Sequence, residues 1–303
     1  SHILKKKFGM HPLTVTWAPH KYTDIGWKNF QSWIHSGFDN ILITPNGVVH
    51  RLLTKLAFEN LLHPFQPFVF GQRYAGLRIA QKFKISLVFH GESPFEYGSS
   101  SLKEAEAKGF DESFFSFDGN LKNVYLGGVN VPELMSSHNI ELNDLQLYLP
   151  FTKSELKRFP LEYHFLGYYI KWDPQEIYYS AVDFSQFEAN PERTEGTYSK
   201  YASLDDRIDG FHYYTSFIKF GLGRATMDAS QEIRNGKIDR EEAKLLVKKY
   251  DGEFPNKYFK EVLDYMMIHE DEFWHHIDSA RSPHLWLKSK NEWQLRHSVY
   301  DNK

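Results

Sequence analysis

The chain has 303 residues with 41 % hydrophobic and 25 % charged side chains, which excludes a disordered protein and allows one large or two ordinary domains. Lys and Arg number 36 against 39 Asp and Glu, so no basic field favours nucleic acid, and no apolar run approaches the ~18 residues of a membrane span. The absence of cysteine excludes disulfides, thiolate–zinc sites and a cysteine nucleophile within these residues, and we expect a cytoplasmic protein.

Short β-rich runs alternate with helically spaced apolar residues through the first hundred positions. The runs cover residues 13–17, 41–44, 68–70 and 85–89, and the helical stretches cover residues 25–38, 48–62 and 74–83. This alternation predicts right-handed crossovers and a parallel sheet with helices on both faces, an α/β fold. Ligands of such sheets bind beyond the carboxyl ends of the strands, so the residues that follow each run are candidates for a site.

The remaining sequence changes character twice. Residues 99–120 are polar and predict a mobile insertion or a boundary, and residues 121–200 are mixed. Later segments have helical patterns, including a capping box at residues 239–242 and apolar spacing at 257–268 and 270–279. We therefore predict an α/β domain over residues 1–120 and a mixed, then mainly helical region over residues 121–303. The aromatic content of 17 % is explained mostly by core filling, although some rings could line a sugar or nucleotide site.

Two local motifs resemble ligand sites but are incomplete. His269 and Glu270 begin like a zinc-protease helix, but Phe273 occupies the second ligand position. His269 and His276 could share a helix face, yet no third ligand accompanies them in the sequence. The glycines at residues 221–223 favour a helix-breaking turn over a phosphate cradle, although Arg224 beside them could hold an anion.

Glycines and carboxylates follow two of the predicted strands. Gly71 to Arg73 follow the run at residues 68–70, and glycines there would let a ligand approach the backbone. Glu92 and Glu96, four residues apart, could hold Mg²⁺ beside phosphates, although composition alone favours a surface loop equally. The acidic residues at 205, 206 and 209 are interpreted as a solvated helix start.

Several longer motifs together resemble the bacterial N-acetyl sugar amidotransferases, and they span nearly the whole chain. They are TVTWAPH (residues 14–20), YTDIG (22–26), FGQR (70–73), GE (91–92), EYG (96–98), YIKWDPQE (169–176), GTYSKY (196–201), GFHYY (210–214), FGLGRAT (220–226) and RSPHLW (281–286).

The resemblance implies a PP-loop ATP pyrophosphatase domain with an adenine-nucleotide α-hydrolase-like parallel sheet, using ATP and Mg²⁺. In that superfamily an SGGxDS-type loop grips the ATP phosphates, and we expect it upstream of Ser1. The implied reaction begins when the N-acetyl oxygen attacks the α-phosphorus and releases pyrophosphate. Ammonia then displaces AMP and leaves an acetamidino group. The implied partners are a glutaminase and a synthase-like subunit that supply ammonia.

The implied substrate is an N-acetylated sugar of a surface polysaccharide such as the lipopolysaccharide O-antigen. It would be a nucleotide-linked uronic acid or a nonulosonic acid such as pseudaminic acid. An anionic sugar of this kind would be bound by cationic and hydroxyl side chains, namely Lys171, Lys200, Tyr201, Lys219 and Arg224, and stacked by Trp172, Tyr213 and Tyr214.

The resemblance also implies residues for the nucleotide and the chemistry. Those expected near ATP are Thr16, Trp17, Gly71, Gln72, Arg73 and Gly91, with the first two framing the adenosine. Glu92 and Glu96 would be catalytic, as Mg²⁺ ligands or as groups that orient the sugar amide. Each of these side chains could equally have a structural role.

Two other functions remain open at this point. One is another adenylating PP-loop transfer, such as a thiolation, which the lack of cysteine in these residues disfavours. The other is a catalytically silent scaffold that binds a sugar or nucleotide for the glutaminase. A PP-loop upstream of Ser1 would support catalysis, and its true absence would support the scaffold.

Overall fold

The computed structural model describes residues 1–91, 93, 96, 107–290 and 292–301. The first segment contains α1 (His2–Phe8), β1 (Thr14–Trp17), α2 (Asp24–Ile34), β2 (Asn40–Ile43), α3 (Gly47–Leu61), α4 (Gln66–Phe83) and β3 (Leu87–His90). The middle contains β4 (Ser116–Phe117), β5 (Tyr125–Leu126), β6 (Val129–Asn130), α5 (Val131–His138), α6 (Leu142–Leu145), β7 (Phe151–Thr152), α7 (Lys153–Arg158), β8 (Glu162–Phe165), α8 (Leu166–Tyr169) and α9 (Pro174–Ser185). The last part contains α10 (Asp209–Phe220), α11 (Arg224–Asn235), α12 (Arg240–Tyr250), α13 (Phe259–Met266), α14 (Glu270–Ser279), β9 (Trp286–Ser289) and β10 (Glu292–Leu295).

Parallel strand pairs confirm a mixed α/β fold, but the parallel sheets are small. β1 pairs with β2, β3 with β8 and β4 with β7, all parallel, whereas β5–β6 and β9–β10 are antiparallel. The register of β1 and β2 is secured by Asn40, whose side-chain amide donates to the hydroxyls of Thr14 and Thr16 at 2.8 and 2.9 Å. The β3–β8 and β4–β7 pairs join residues on either side of the predicted boundary at residue 120, so the two predicted regions share sheets.

The strand predicted at residues 68–70 is wrong, because these residues belong to α4. Pro67 stands in the first turn of this helix, where its fixed φ suits the helix and its missing N–H costs no hydrogen bond. Helical spacing then continues through the apolar residues of the segment predicted as a helix at 74–83. Gly71 therefore lies inside a helix and not in a loop after a strand.

Gly71 has a packing role. It is buried, and a Cβ at this position would overlap the six-membered ring of Trp17. The indole of Trp17, itself 6 % exposed, thus fills the space that the missing side chain leaves. Because α4 contacts both β1 and β3, this packing sets the distance between α4 and β1.

Three large hydrophobic clusters stabilise the chain. One joins β1, α3 and α4 to residues 124–149, and its fully buried members include Leu53 and Leu134. A second surrounds β8, where Phe115 is 2 % exposed, so residues 107–120 are folded and the interpretation as a mobile insertion is wrong for them. The third contains the last helices together with Phe58 and Phe65 from the first part of the chain.

The last third of the chain is helical as predicted. α13 and α14 match the patterns at 257–268 and 270–279, and the side chain of Asp239 caps α12 by accepting the N–H of Glu242 at 2.8 Å. Gly221 ends α10 with a φ of 71°, which confirms the predicted turn before Arg224. Within the described ranges, no helix is both long enough and apolar enough to cross a membrane.

Two glycines of α4 offer a matched test of the packing against Trp17. We expect Gly71→Ala to lower the free energy of unfolding by about 1–3 kcal/mol, because its Cβ would displace the indole. Gly76→Ala in the same helix meets no atom within 4 Å, so it should stabilise the protein by about 0.5–1 kcal/mol. Urea unfolding followed by circular dichroism measures both, and equal effects of the two substitutions would contradict the packing role.

Candidate functional site

A groove of about 710 Å³ lies between β1 and β3. Its walls include Thr14 to Trp17 of β1 and Leu87 to His90 of β3, and α4 contributes the surface between the two strands. The size is in the range of small-molecule sites.

The groove brings together five residues that the sequence assigned to a nucleotide, namely Thr16, Trp17, Gln72, Arg73 and Gly91. These positions are far apart in the sequence and come from β1, α4 and the end of β3. The sixth, Gly71, does not line the groove but packs behind Trp17. The prediction of a shared location therefore agrees with the geometry for the five, while their role in nucleotide binding stays a prediction.

Polar groups in the groove wall are held in defined positions. The indole Nε1 of Trp17 is buried and has no hydrogen-bond partner among the described residues. The guanidinium of Arg73 lies over the ring of Phe114 at 4.2 Å from its centroid, a cation–π contact that orients the charge. An oriented cation is a group that a ligand with negative charge would use.

Asp205 is the carboxylate among the described residues that line the groove, and the sequence interpretation missed it. Its loop is fixed by Thr23, whose N–H donates to the carbonyl of Asp205 at 3.0 Å and whose hydroxyl donates to the carbonyl of Leu204. Gly26 packs directly against the backbone of Asp205. The loop that precedes α10 thus reaches the groove, because Gly26 of α2 has no side chain and lets the backbone of Asp205 pack closely against this helix.

Asp206, the next residue, forms a buried hydrogen-bonded pair with His20. Its Oδ2 is 2.7 Å from both the backbone nitrogen and Nδ1 of His20, and its Oδ1 accepts the N–H of Ile208 at 3.0 Å. The two side chains are 0 % and 3 % exposed. A carboxylate only accepts hydrogen bonds, so Nδ1 of His20 is the donor. The interpretation as a solvated helix start is therefore wrong for Asp206 and for Asp209, which is also buried, whereas Asp205 is exposed as expected.

Three further histidines lie near this pair, of which His50 is fully buried and His63 and His212 are partly buried. The ring of His50 lies 4.6 Å from that of His20, and its Nδ1 is 2.9 Å from the hydroxyl of Tyr148. His63 and His212 stack at 5.1 Å. Burial lowers the pKa of His50 to about 2, of His212 to about 3 and of His63 to about 4, with smaller contributions from neighbouring positive groups.

Asp209 completes the acidic segment at the start of α10. The pKa of its carboxyl is raised to about 7, mainly by burial and to a smaller extent by the charges of Asp205 and Asp206, while a hydrogen bond from Ser203 and the charge of Arg224 lower it. This group therefore exchanges a proton near neutral pH.

The residues assigned to the sugar fall into two sets, and one of them surrounds α11. Arg224 donates from Nη1 to the hydroxyl of Tyr213, lies over that ring, and pairs with Asp228 at 2.9 Å. The backbone carbonyl of Trp172 accepts from Gln231 and Asn235, each at 3.1 Å.

Tyr201 belongs to the same set because Asp228 and Glu232 of α11 act on it. Burial raises the pKa of Tyr201 to about 12, with smaller contributions from these carboxylates, and its ring stacks on Tyr178 at 4.5 Å. Lys171 and Lys200 precede Trp172 and Tyr201 in the sequence, and both lysines are exposed. Lys200 donates to the carbonyl of Pro191 at 2.9 Å.

The second set lies on α10, away from α11. Tyr214 is 8 % exposed in the carboxyl-terminal core and meets Phe254 edge to face at 5.2 Å. Lys219 donates to the carbonyl of Leu61 at 2.7 Å, and burial lowers its pKa. The structure therefore does not gather all eight residues, and their contact with a sugar stays a prediction.

Of the two carboxylates predicted to bind Mg²⁺, the structure describes Glu96. Glu92 lies outside the described residues. Glu96 accepts the N–H of Ser93 at 2.9 Å, and its carboxylate lies against Gly167. Gly167 follows Leu166, which lines the groove, but Glu96 itself is not among the lining residues. Binding of Mg²⁺ by these two residues remains a prediction.

A smaller cavity of about 270 Å³ lies beside Asp206, at the junction of α2 and the helical region. The two arginines that line it are paired, with Arg193 bound to Glu253 by two bonds of 2.6 Å and Arg207 bound to Glu261 at 2.5 Å. No residue that the sequence assigned to a site lines this cavity.

The buried histidines predict a loss of stability in acid. Unfolded histidines take up protons near pH 6.5, whereas His50, His63 and His212 stay neutral in the fold to lower pH. The unfolded state therefore binds more protons below pH 6.5, and each histidine lowers the free energy of unfolding by up to about 1.4 kcal/mol per pH unit. For His63 this loss is complete near pH 4, while Asp209 acts in the opposite direction between its unfolded value of 3.8 and about 7.

Urea unfolding between pH 7 and 4 measures this dependence. The free energy of unfolding is plotted against pH. We expect His63→Gln to reduce the slope of this plot by the equivalent of nearly one proton, about 1.4 kcal/mol per pH unit, and the exposed His35→Gln to leave the slope unchanged. Equal slopes in all three proteins would contradict the assignment of His63 as a neutral buried group.

Comparison with known proteins shows that the helical region is similar to a recognised family. Residues 195–300, about a third of the chain, match the family described as "LPS biosynthesis protein WbpG-like, C-terminal domain". No curated protein matches the chain. The matched segment contains α10 to α14 and the β9–β10 hairpin. It supports placing the chain in a family of surface-polysaccharide biosynthesis.

Proposed function

We propose that this protein is an ATP-dependent amidotransferase that converts the N-acetyl group of a bacterial surface-polysaccharide sugar into an acetamidino group. The observation that carries the proposal is the groove between β1 and β3, which collects Thr16, Trp17, Gln72, Arg73 and Gly91. These residues come from separate motifs of the resemblance, and nothing in sequence spacing requires them to share one surface. The match of residues 195–300 to a lipopolysaccharide biosynthesis family supports the class of substrate.

The described residues of the groove suit an adenine nucleotide. Trp17, Phe89 and Tyr163 provide aromatic surface for the base, and the buried indole N–H of Trp17 lacks a partner among the described residues. Arg73 offers a guanidinium that can pair with a phosphate. Asp205 offers a carboxylate, the kind of ligand that Mg²⁺ takes together with phosphate oxygens. When bound, ATP would supply the activation that turns an amide oxygen into a leaving group.

The sugar would bind near α11 and present its acetamido group to the groove. Trp172, Tyr201 and Tyr213 supply aromatic and hydroxyl groups there, and Arg224 supplies a fixed cation for an acidic sugar. Arg224 is preorganised, because Asp228 and Tyr213 hold its guanidinium in one orientation.

Ammonia would come from a glutaminase partner through a synthase-like subunit. Free ammonia is scarce at neutral pH because it is mostly protonated, and only the neutral form is a nucleophile. Direct delivery from glutamine hydrolysis therefore fits the chemistry.

The test is incubation of the complete natural protein with ATP, an ammonium salt and a panel of N-acetylated sugars and nucleotide sugars. We expect AMP, pyrophosphate and a sugar about one dalton lighter by mass spectrometry, because NH replaces oxygen. ATP unchanged with every sugar would remove the basis of the proposal. Binding of nucleotide and sugar without turnover would support the scaffold, and turnover only with a sulfur donor would support a thiolation.

Arg73 provides the sharpest single-residue test of the groove. We expect Arg73→Gln to lower kcat/KM by at least tenfold, since a charged hydrogen bond to phosphate is lost. Arg73→Lys should recover part of the activity by retaining the charge. Arg158→Gln, which removes an exposed arginine of α7, is the control and should leave kcat/KM unchanged. Wild-type kinetics in Arg73→Gln with an unchanged melting temperature would exclude Arg73 from the site.

A further inference from the structure

We propose that Glu59, Glu272 and His276 form a divalent transition-metal site that joins α3 to α14. A carboxylate oxygen of each glutamate and an imidazole nitrogen of the histidine lie within 4.8 Å of one another. Ligands 2.0–2.3 Å from one ion are separated by roughly 3–4 Å, so a small rotamer adjustment closes the cluster around a metal.

Glu59 and Glu272 supply the ligands that the sequence alone did not assign to His276. Glu272 and His276 are four residues apart in α14 and therefore face the same direction. Glu59 comes from the last turn of α3, more than two hundred residues earlier in the chain. Sequence spacing could not pair these residues, because the third ligand belongs to another part of the fold.

Two buried rings fix the backbone on both sides of the cluster. Phe58 precedes Glu59, Phe273 follows Glu272, and both rings are 0 % exposed. They stack at 5.1 Å with an interplanar angle of 7°, and the ring of His276 meets Phe58 edge to face at 5.6 Å. The ligands thus stand on rigid elements whose spacing does not depend on a metal, which lowers the entropy cost of binding.

The charges and donor types select the kind of ion. Two carboxylates and one neutral imidazole balance a divalent cation, and the imidazole favours Zn²⁺, Co²⁺, Ni²⁺ or Mn²⁺ over Mg²⁺ and Ca²⁺. The side chain of Glu59 is 19 % exposed, so its charge is only partly solvated. Lys55 lies 3.4 Å from Oε1 of Glu59, and the N–H of His269 lies 3.4 Å from Oε2 of Glu272. Each carboxylate therefore keeps its other oxygen for a metal.

This site is separate from the groove, because none of its three residues lines that groove. Three protein ligands leave at least one coordination position for water or another molecule, which makes the ion exchangeable. Its role in the protein would be to hold the first part of the chain against the carboxyl-terminal helices.

The experiment is titration of the EDTA-treated protein with ZnCl₂ by calorimetry, with Co²⁺ absorption as a spectroscopic check. We expect one ion per chain, and a rise of the melting temperature by about 5 °C at a hundredfold excess over Kd. Glu59→Gln and His276→Gln should each weaken binding at least tenfold, because they remove a ligand atom while keeping most of the packing. His275→Gln is the matched control, since this neighbouring histidine is exposed and outside the cluster.

Three results would overturn the site. They are no saturable binding of Zn²⁺ or Co²⁺, unchanged affinity in folded His276→Gln, or an equal loss in His275→Gln. Folding of each variant is checked by circular dichroism. None of these readouts involves turnover, so the outcome is independent of the proposed amidotransferase activity.

Discussion

The buried carboxylate of Asp206 is the constraint on which the arrangement of the two halves depends. It lies beyond the carboxyl end of β1, where it accepts from the backbone and ring of His20 and from the N–H that begins α10. A buried charge is tolerated only when its hydrogen bonds are complete, so the loop after β1 and the start of α10 have to meet in one geometry. This junction carries Asp205 to the groove and Asp209 to the interior.

Aromatic packing extends this junction into the rest of the molecule. His20 is surrounded by rings, including Phe65, Phe68 and His50, and Phe58 continues the contact to Phe273 of α14. Some of the many aromatic residues therefore join the first part of the chain to the helical region, and others fill the separate cores. Trp17 has two roles, because it fills the space left by Gly71 and forms part of the groove wall.

The two surfaces relevant to the proposed reaction differ in how they are built. The groove is formed by backbone elements, with β1, β3 and α4 supplying its walls. The region around α11 is formed by side-chain pairs, in which Asp228 and Tyr213 hold Arg224. A nucleotide shared by many enzymes suits the first, whereas a particular sugar suits the second, because side chains are more easily varied than strand geometry.

The sequence by itself determined the α/β character of the first part, the helical end and the positions of several helices, among them α3, α13 and α14. These properties depend on local periodicity, capping residues and turn glycines, which act within a few residues. Five residues of its predicted nucleotide site, Thr16, Trp17, Gln72, Arg73 and Gly91, line one groove, while their role there stays a prediction. Local pattern failed at residues 68–70, where β-favouring side chains belong to a helix that begins at Gln66.

Only the tertiary structure decided how distant residues combine. Asp205 and Asp206 both lie in a segment whose composition suggests a solvated helix start. Asp205 stays exposed, whereas Asp206 is buried because the loop that contains His20 and Thr23 packs against it from the first part of the chain. Tyr214 is predicted to stack on a sugar because tyrosine rings can do so, yet it is buried because its helix packs on Phe254. The burial of a side chain and the set of residues that bind one ligand depend on long-range packing. The spacing of residues within one segment cannot predict which distant segment will pack against it.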